Sequence, residues 1–359
     1  MERRRSSAAS IVLTAVLMAG ACSCAPSDKP GPSPTPVTPI TLRIGTDDEP
    51  DRPATDQINH FAAEVKRISN DQLVIEPVWH AAGDQDNWDQ AVARLVVAGT
   101  LDMGMIPARA WDTEGVTTLR ALQAPFLITS NDLAGKVVTA EVANQMLAGL
   151  DKADITGLAL VPESLREIFS FGKPFLTVRD FKGATIRVPR SDTSSKVFKA
   201  LGATADDLVD ADGNKFDQAV ADGTVAAAES SYRLASFSAP TTATANLVPY
   251  PKINSLVINR ARFGQLSQGQ QDILREAAIE TRDWGVKVMA DPDLEAAQFC
   301  DEGGTVVNAT EKNLADIQAA THTVYTDLEK DPETKSFIDR IRDLKANSPA
   351  PTPVTACRH

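Results

Sequence analysis

Short apolar strands that alternate with helices are the feature that most constrains the fold of this chain. Residues 41–46, 73–79 and 102–106 each have the length and composition of a strand. The segments between them, about 55–68 and 85–98, repeat apolar residues at helical spacing. Strands joined by helices of this length are typical of βαβ units. The sequence therefore predicts an α/β fold with a largely parallel sheet.

After a predicted strand at 156–161, the strand pattern starts again from Arg166, and we place a domain boundary at this restart. Predicted strands follow at 168–171, 184–188 and 225–228, and extended chain returns at 247–258. Ser267 and Gln270 then form a capping box at the start of a long helix. Pro292 ends or kinks that helix. A chain of 359 residues suits two domains, or one large two-lobed domain.

The two ends of the chain differ in composition from the part between them. A basic start followed by a short apolar stretch is typical of an export signal. Cys22 follows small residues and resembles the lipidated cysteine of a bacterial lipoprotein, with Cys24 as the weaker candidate. We assign 1–24 to this signal and lipidation region, 25–40 to a Pro-rich tether and 347–359 to a flexible tail. An ordinary secreted protein is the alternative.

Two further cysteines, Cys300 and Cys357, remain in the exported part of the chain. In an oxidising compartment they could form one disulfide that fixes the tail to the folded part. Two free thiols are the alternative, and only the distance between the two residues decides between them.

Composition and motifs exclude several classes of function. Lys and Arg total 36 against 48 Asp and Glu, a net charge of −12, which argues against a nucleic-acid partner. The four histidines lie far apart without metal-ligand spacing, so we expect no metal site. Neither a nucleophile elbow nor a phosphate-binding glycine loop occurs. We therefore expect no cofactor, and a binding protein rather than an enzyme.

Arg187 is the main candidate for a binding residue. It follows a glycine turn at Gly183 and lies in a predicted strand, where Ile186 and Val188 point to the opposite face. An arginine at the carboxyl end of a strand lies where open α/β sheets bind ligands. Its guanidinium matches a carboxylate in charge and shape. We predict that it holds the anionic end of a small solute; a solvated or salt-bridged surface arginine is the alternative.

The order of several short motifs resembles the solute-binding proteins of tripartite ATP-independent periplasmic (TRAP) transporters, of the dicarboxylate-binding type. The matching segments are residues 95–104, 124–127, 165–166, 173–183, 186–189, 201–204 and 266–278. The resemblance implies an α/β, two-lobed periplasmic-binding-protein clamshell with a ligand cleft between the lobes and a long helix spanning both. We divide the lobes as 41–163 plus 256–295 and 164–255 plus 296–346.

The same resemblance implies capture of a small organic acid for uptake, with the membrane subunits of a TRAP-type transporter as partners. Together with the signal region it implies an exported protein, held by its lipid on the outer face of the cell membrane. A ligand-sensing lipoprotein of the same fold, acting with a signalling partner, is the alternative.

The resemblance also assigns ligand-binding residues. In the family, the arginine of an Ile-Arg-Val-Pro strand binds the ligand carboxylate, and Arg187 occupies that position. Arg166 matches a second ligand arginine, although one extra residue separates it from the next motif. Glu229 is kept from the family's Asp-Gly-Gln-Glu-Asn run, whereas Ser230 replaces an asparagine that often touches the ligand. Because this chain has fewer polar side chains in that run than the family, we predict that it binds a more apolar acid.

Three further residues are candidates for the walls of the ligand site. Asp47, Trp111 and Tyr232 each lie just beyond a predicted strand. A structural or solvent-facing role is the alternative for each of them.

Overall fold

The computed structural model describes residues 39–83, 85, 87–208 and 214–357. The predicted signal and lipidation region, with Cys22 and Cys24, and nearly all of the Pro-rich tether lie outside the described residues. No helix in the described ranges is both long enough and apolar enough to span a membrane.

Strands alternate with helices along most of the described chain, as the sequence predicts. The strands of the described residues are β1 (Ile40–Gly45), β2 (Leu73–Val78), β3 (Met103–Pro107), β4 (Ile155–Ser170), β5 (Thr185–Arg187), β6 (Thr204–Asp206), β7 (Ala227–Ser230), β8 (Thr242–Thr244), β9 (Tyr250–Asn259) and β10 (Thr305–Val307). The helices are α1 (Pro53–Ser69), α2 (Trp88–Val97), α3 (Asn131–Thr139), α4 (Glu141–Ala148), α5 (Val178–Phe181), α6 (Asp192–Ala200), α7 (Asn214–Ala221), α8 (Arg260–Gly264), α9 (Gln268–Val288), α10 (Pro292–Asp301), α11 (Glu311–Ala320), α12 (His322–Leu328) and α13 (Pro332–Ala346). Short 3₁₀ segments occur at Ala108–Thr113, Arg120–Gln123, Gly149–Ala153 and Tyr232–Leu234.

The strands form a mixed sheet in the order β2-β1-β3-β9-β4-β7-β5-β6, with β8 pairing to both β4 and β10. The pairs at the two ends are parallel, but β9 runs antiparallel to β3 and β4, and β4 runs antiparallel to β7 and β8. The prediction of a largely parallel sheet is therefore wrong at its centre. The physical reason is that no crossover helix precedes β9. Without such a connection the strand runs in the opposite direction to its neighbours β3 and β4.

The central strand β4 joins two groups of strands. It pairs with β9 from Ile155 to Arg166, and then with β7 and β8 from Glu167 to Ser170. We call β1, β2, β3 and β9 the first group, and β5, β6, β7, β8 and β10 the second group. The sequence analysis predicts two separate strands here, whereas the backbone stays extended through Pro162 at a register shift. Proline is tolerated at such an irregularity because no ladder hydrogen bond is required of it.

Helices α9 and α10 connect the two groups on one face. The predicted capping box is confirmed, because Ser267 and Gln270 each accept a hydrogen bond from the backbone N–H of the other. Helix α9 lies close to β4, and a Cβ atom at Gly285 would approach Val161 Cγ1 to 2.8 Å. Glycine allows this close contact. After α9 ends, α10 begins at Pro292 and packs near β10 of the second group.

The end of the chain is attached to the second group. Cys300 and Cys357 form a disulfide, and the backbone of Cys357 pairs with Val306 of β10. Asn308 Nδ2 donates to the carbonyl of Val354, whose side chain is buried. The prediction of a flexible tail over 347–359 is therefore wrong for this last stretch, because covalent and backbone bonds hold it in place.

Candidate functional site

The segment around Arg187 is shaped by its local sequence. Thr177 and Asp180 form a capping box at the start of α5, and Gly183 then turns the chain at a φ of 75°. A positive φ of this size favours glycine, since it has no Cβ. Strand β5 follows and ends at Arg187, with Ile186 fully buried on the opposite side. The turn and strand thus place Arg187 at the carboxyl end of β5, half-buried.

The guanidinium of Arg187 has aromatic neighbours and, within the described part of the chain, no counter-ion. Its Cζ lies 5.9 Å from the ring centroid of Trp88 in α2 and 6.0 Å from that of Phe216 in α7. No carboxylate of the described residues forms a hydrogen bond or ion pair with it. Burial lowers the pKa of Arg187 to about 10, Glu229 opposes this, and Arg166 and Arg109 contribute to the fall. Arg187 is therefore a cation at neutral pH that the described carboxylates leave without a bonded anion.

Arg166 and Glu229 form a buried ion pair where β4 passes from β9 to β7. The Nε atom of Arg166 donates to Glu229 Oε1, and its Nη2 donates to the Glu229 carbonyl at 3.3 Å. Burial lowers the pKa of Arg166, but the charge and hydrogen bond of Glu229 outweigh this and raise it. The second predicted ligand arginine thus already has a resident anion, although Arg166 Nη1 and Glu229 Oε2 are buried without hydrogen-bond partners.

Arg109 is a residue of this region that the sequence analysis missed. It follows β3 and donates from Nη2 to Asp89 Oδ2 at 2.6 Å, with both side chains nearly buried. Its Nη1 is buried and has no hydrogen-bond partner in the described ranges. The signal was available, because Arg109 lies just beyond a strand, the same criterion that selected Trp111.

Lys252 of β9 is the fourth cation of the region. Its Nζ lies 2.9 Å from Glu163 and 3.5 Å from Asp48. Burial lowers the pKa of Lys252, whereas the two carboxylates raise it, and the net direction is upward. Lys252 is therefore neutralised by resident anions.

A small cavity lies among these charged groups. Its lining includes Pro107, Arg109, Gln123, Arg166, Glu229, Tyr250, Pro251, Lys252 and Ile253. Two donors without partners among the described residues, Arg109 Nη1 and Arg166 Nη1, lie at this cavity together with one acceptor, Glu229 Oε2. Buried polar atoms are rarely left unpaired in proteins, so such a cluster indicates where an external polar group binds. The arrangement can hold oxygen atoms of a small acid.

Two of the predicted wall residues are placed elsewhere. Trp111 is fully buried, and its Nε1 donates to Ser255 Oγ at 2.8 Å. Tyr232 packs edge-on against Phe169 at 5.4 Å and contacts Phe299, near the disulfide. Burial raises the pKa of Tyr232. Core packing thus occupies both side chains away from Arg187, and their assignment to the ligand site stays a prediction.

Asp47 and Ser230 lie near the region without touching Arg187. Asp47 Oδ1 lies 3.9 Å from His80 Nδ1. Burial raises the pKa of Asp47 to about 7, Asp89 adds to the rise, and His80 opposes it. Ser230 is buried in β7, opposite Glu167 of β4. In the described parts of the chain, no group of three or more His, Cys, Asp or Glu is arranged to hold a metal ion.

Comparison with known structures supports the same fold. A TRAP periplasmic solute-binding protein from Ralstonia eutropha, solved with bound (S)-2-acetolactate, is 21% identical with a TM-score of 0.74, covering 86% of this chain and 99% of that one. The sugar acid-binding protein of Advenella mimigardefordensis, solved with galactonate, is 19% identical with a TM-score of 0.74, covering 87% and 99%. The described chain thus has the two-lobed α/β fold of these periplasmic binding proteins.

Sequence comparison gives the family. The C4-dicarboxylate-binding protein DctB of Bacillus subtilis is 30% identical over 83 residues, which are 23% of this chain and 24% of that protein. The chain therefore matches about a quarter of that relative's length. The family model DctP, bacterial extracellular solute-binding protein family 7, matches residues 44–331. This match spans most of the chain, and the chain belongs to the bacterial extracellular solute-binding proteins of family 7.

Proposed function

We propose that this protein captures a small organic acid outside the cytoplasm and presents it to the membrane subunits of a TRAP-type transporter. The observation that carries the proposal is Arg187, a half-buried guanidinium without an ion-pair partner among the described residues. Arg109 and Arg166, each with one guanidinium nitrogen that has no partner among the described residues, act electrostatically on Arg187. The acids bound by the related structures, acetolactate and galactonate, agree in chemistry with such a site.

Binding follows from the charges of the site. A carboxylate relieves the desolvated guanidinium of Arg187 through charge-assisted, two-pronged hydrogen bonds. Trp88 approaches from α2, which packs on β3 of the first group, and Phe216 of α7 packs against Phe171 beside the second group, so both sides of the fold contact the guanidinium. The acid favours the closed arrangement by the contacts that it makes with both sides. Closure also removes water and strengthens the charged hydrogen bonds.

The attachment of the protein to the cell is part of the proposal. The family is extracellular, and we propose that Cys22 carries a lipid that holds the protein on the outer face of the membrane. Mass spectrometry of the membrane fraction should find a diacylated cysteine at that position. A processed protein found free in the medium, without lipid, would contradict the anchor but not the binding function.

A thermal-shift screen of the purified protein against small carboxylates tests the proposed function. A bound acid stabilises the folded state and raises its melting temperature with increasing ligand concentration. We expect at least one carboxylic acid to raise the melting temperature of the natural protein and not that of Arg187→Ala. The acid should be recovered unchanged, since no covalent step is proposed. If neutral solutes raise the melting temperature and no acid does, the assignment is wrong.

A further inference from the structure

We infer that a small pocket beside strand β4, separate from the cavity described above, binds a monovalent alkali cation, Na⁺ or K⁺. The pocket lies where β4 changes its partner strands and where α9 ends and α10 begins. We call it the β4 pocket, and its lining consists of Asn131, Glu163, Ser164, Leu165, Glu167, Ala290, Pro292 and Glu295. The inference does not depend on the capture of an acid, so either can fail without the other.

The β4 pocket has the size of a single small ion. Its volume, about 10 Å³ for the centre of a water-sized body, leaves room for one such body. Organic cations and organic acids are too large for this space. The occupant is therefore a monatomic ion or a water molecule, and the chemistry of the lining decides between them.

Four buried oxygen atoms of the lining have no hydrogen-bond partner within the described ranges, namely Asn131 Oδ1, Glu163 Oε1, Ser164 Oγ and Glu167 Oε2. Asn131 donates from Nδ2 to the Ala290 carbonyl at 2.8 Å, which leaves its amide oxygen as the unbonded atom. A water molecule has two hydrogens for these three amide and carboxylate acceptors, even when Ser164 donates to it. A cation can contact all of them, because oxygen atoms of these types are the ligands of hard cations.

One buried negative charge of the β4 pocket is left without a counter-ion. Among the described residues of the lining, none is cationic. Glu163 is already paired through Oε2 with Lys252 Nζ at 2.9 Å, and Glu295 is half-buried with Arg233 acting on it. Glu167 is 3% exposed and forms no ion pair with any described residue. Buried charges in proteins are paired or coordinate metals, so one positive charge completes the site.

The make-up of the β4 pocket favours an alkali ion over other metals. Calcium requires about six to eight oxygen ligands, several of them from carboxylates, and transition metals prefer imidazole or thiolate. No three His, Cys, Asp or Glu side chains of the described chain surround one metal position. A proton is the remaining competitor, because burial raises the pKa of Glu167 to about 8, Glu295 adds to the rise and Arg166 opposes it. A bound alkali ion replaces that proton, which passes to the solvent.

Melting temperatures of the intact chain in alkali chlorides test the inference. The protein is first dialysed into choline chloride at a pH slightly above the pKa of Glu167, where this carboxyl is mainly ionised. NaCl or KCl then replaces choline chloride at constant ionic strength, since choline is too large for the β4 pocket. We expect at least one of the two salts to raise the melting temperature, by roughly 3 °C for each tenfold increase in concentration above the dissociation constant.

A matched pair of variants identifies the site. Glu167→Gln keeps the shape of the side chain and removes its charge, so we expect it to lose most of the rise caused by the alkali ion. Glu76→Gln removes an exposed carboxylate of β2 that does not line the β4 pocket, and this control should keep the full rise. A crystal structure grown in the more effective salt should place the cation against Asn131 Oδ1, Glu163 Oε1 and Glu167 Oε2.

Several results would overturn the inference. If neither NaCl nor KCl raises the melting temperature above that in choline chloride, the β4 pocket holds water at most. An equal rise in Glu167→Gln would place the effect elsewhere on the protein, as would a cation found outside the β4 pocket in the crystal. Stabilisation by CaCl₂ beyond that of both alkali salts would refute the charge argument. None of these results bears on the binding of an acid at Arg187.

Discussion

Replacing Arg187 with methionine should stabilise the unliganded protein while strongly weakening its response to acids. The guanidinium is half-buried, with no ion-pair partner among the described residues, and burial lowers its pKa from the ordinary 12.5 to about 10. A cation whose pKa is lower in the folded state destabilises that state at every pH below about 10. This cost disappears only as the pH rises from about 10 towards 12.5. At neutral pH the variant therefore gains stability by losing the charge.

The size of the effect follows from the two opposing contributions. The fall in pKa corresponds to about 3 kcal/mol of destabilisation as an upper limit, at about 1.4 kcal/mol for each pH unit. The contacts of the guanidinium with Trp88 and Phe216 offset about 0.5 to 1 kcal/mol each. The net gain is on the order of 1 kcal/mol, or roughly 2 °C in melting temperature. Binding of an acid should weaken by about 2 to 5 kcal/mol, at least about 30-fold.

Melting temperatures measured with and without acid test both halves of this prediction. Arg275→Met is the matched control, because Arg275 also lies over an aromatic ring, Phe263 at 4.8 Å, but has its own partner in Asp272. The control should lose a little stability and keep its response to acids. An Arg187→Met protein that melts well below the natural one would refute the idea of an uncompensated cation. Undiminished acid binding by that variant would refute the binding role.

Three further predictions concern groups outside the cavity. Burial, with Glu295 nearby, raises the pKa of Glu167 to about 8, so the natural protein should lose stability as the pH rises from about 4.5 to about 8. In Glu167→Gln this loss should largely vanish in melting curves, and an unchanged pH profile would contradict the assignment. Replacing Cys300 and Cys357 by serine should lower the free energy of unfolding by about 4 kcal/mol in denaturant titrations, since the disulfide closes a long loop; equal stability with and without the bond would count against this. Trp111→Phe should lower that free energy by about 1 to 3 kcal/mol through loss of the hydrogen bond to a buried serine, with acid affinity unchanged; a large loss of affinity would restore Trp111 to the ligand site.

Local patterns in the sequence were sufficient for most of the elements. The capping box at Ser267, the turn at Gly183 and the end of β5 at Arg187 all depend on neighbours in the chain, and the structure has each of them. The course of β4 and β9 depends on pairing between residues almost a hundred positions apart. Periodicity carries no information about such pairing, and the mixed centre of the sheet was missed for that reason.

In the candidate site, too, local features could be predicted from the sequence and long-range contacts could not. Arg187 could be selected because its position at the end of a strand is a local property. The partner of Arg166 could not be predicted from the sequence, because the ion pair with Glu229 joins β4 to β7 across 63 positions of sequence. Trp111 and Tyr232 pack in the core, because a residue just beyond a strand can point into the core as easily as towards a ligand. Only the packing of the whole chain decides between these directions.

A crystal structure grown with the acid that gives the largest rise in melting temperature tests the central claim most directly. The account predicts one ligand carboxylate bonded to the guanidinium of Arg187, with two N–H···O distances of about 2.8 Å. An acid bound away from Arg187, with that guanidinium facing solvent or paired to a protein carboxylate, would contradict it.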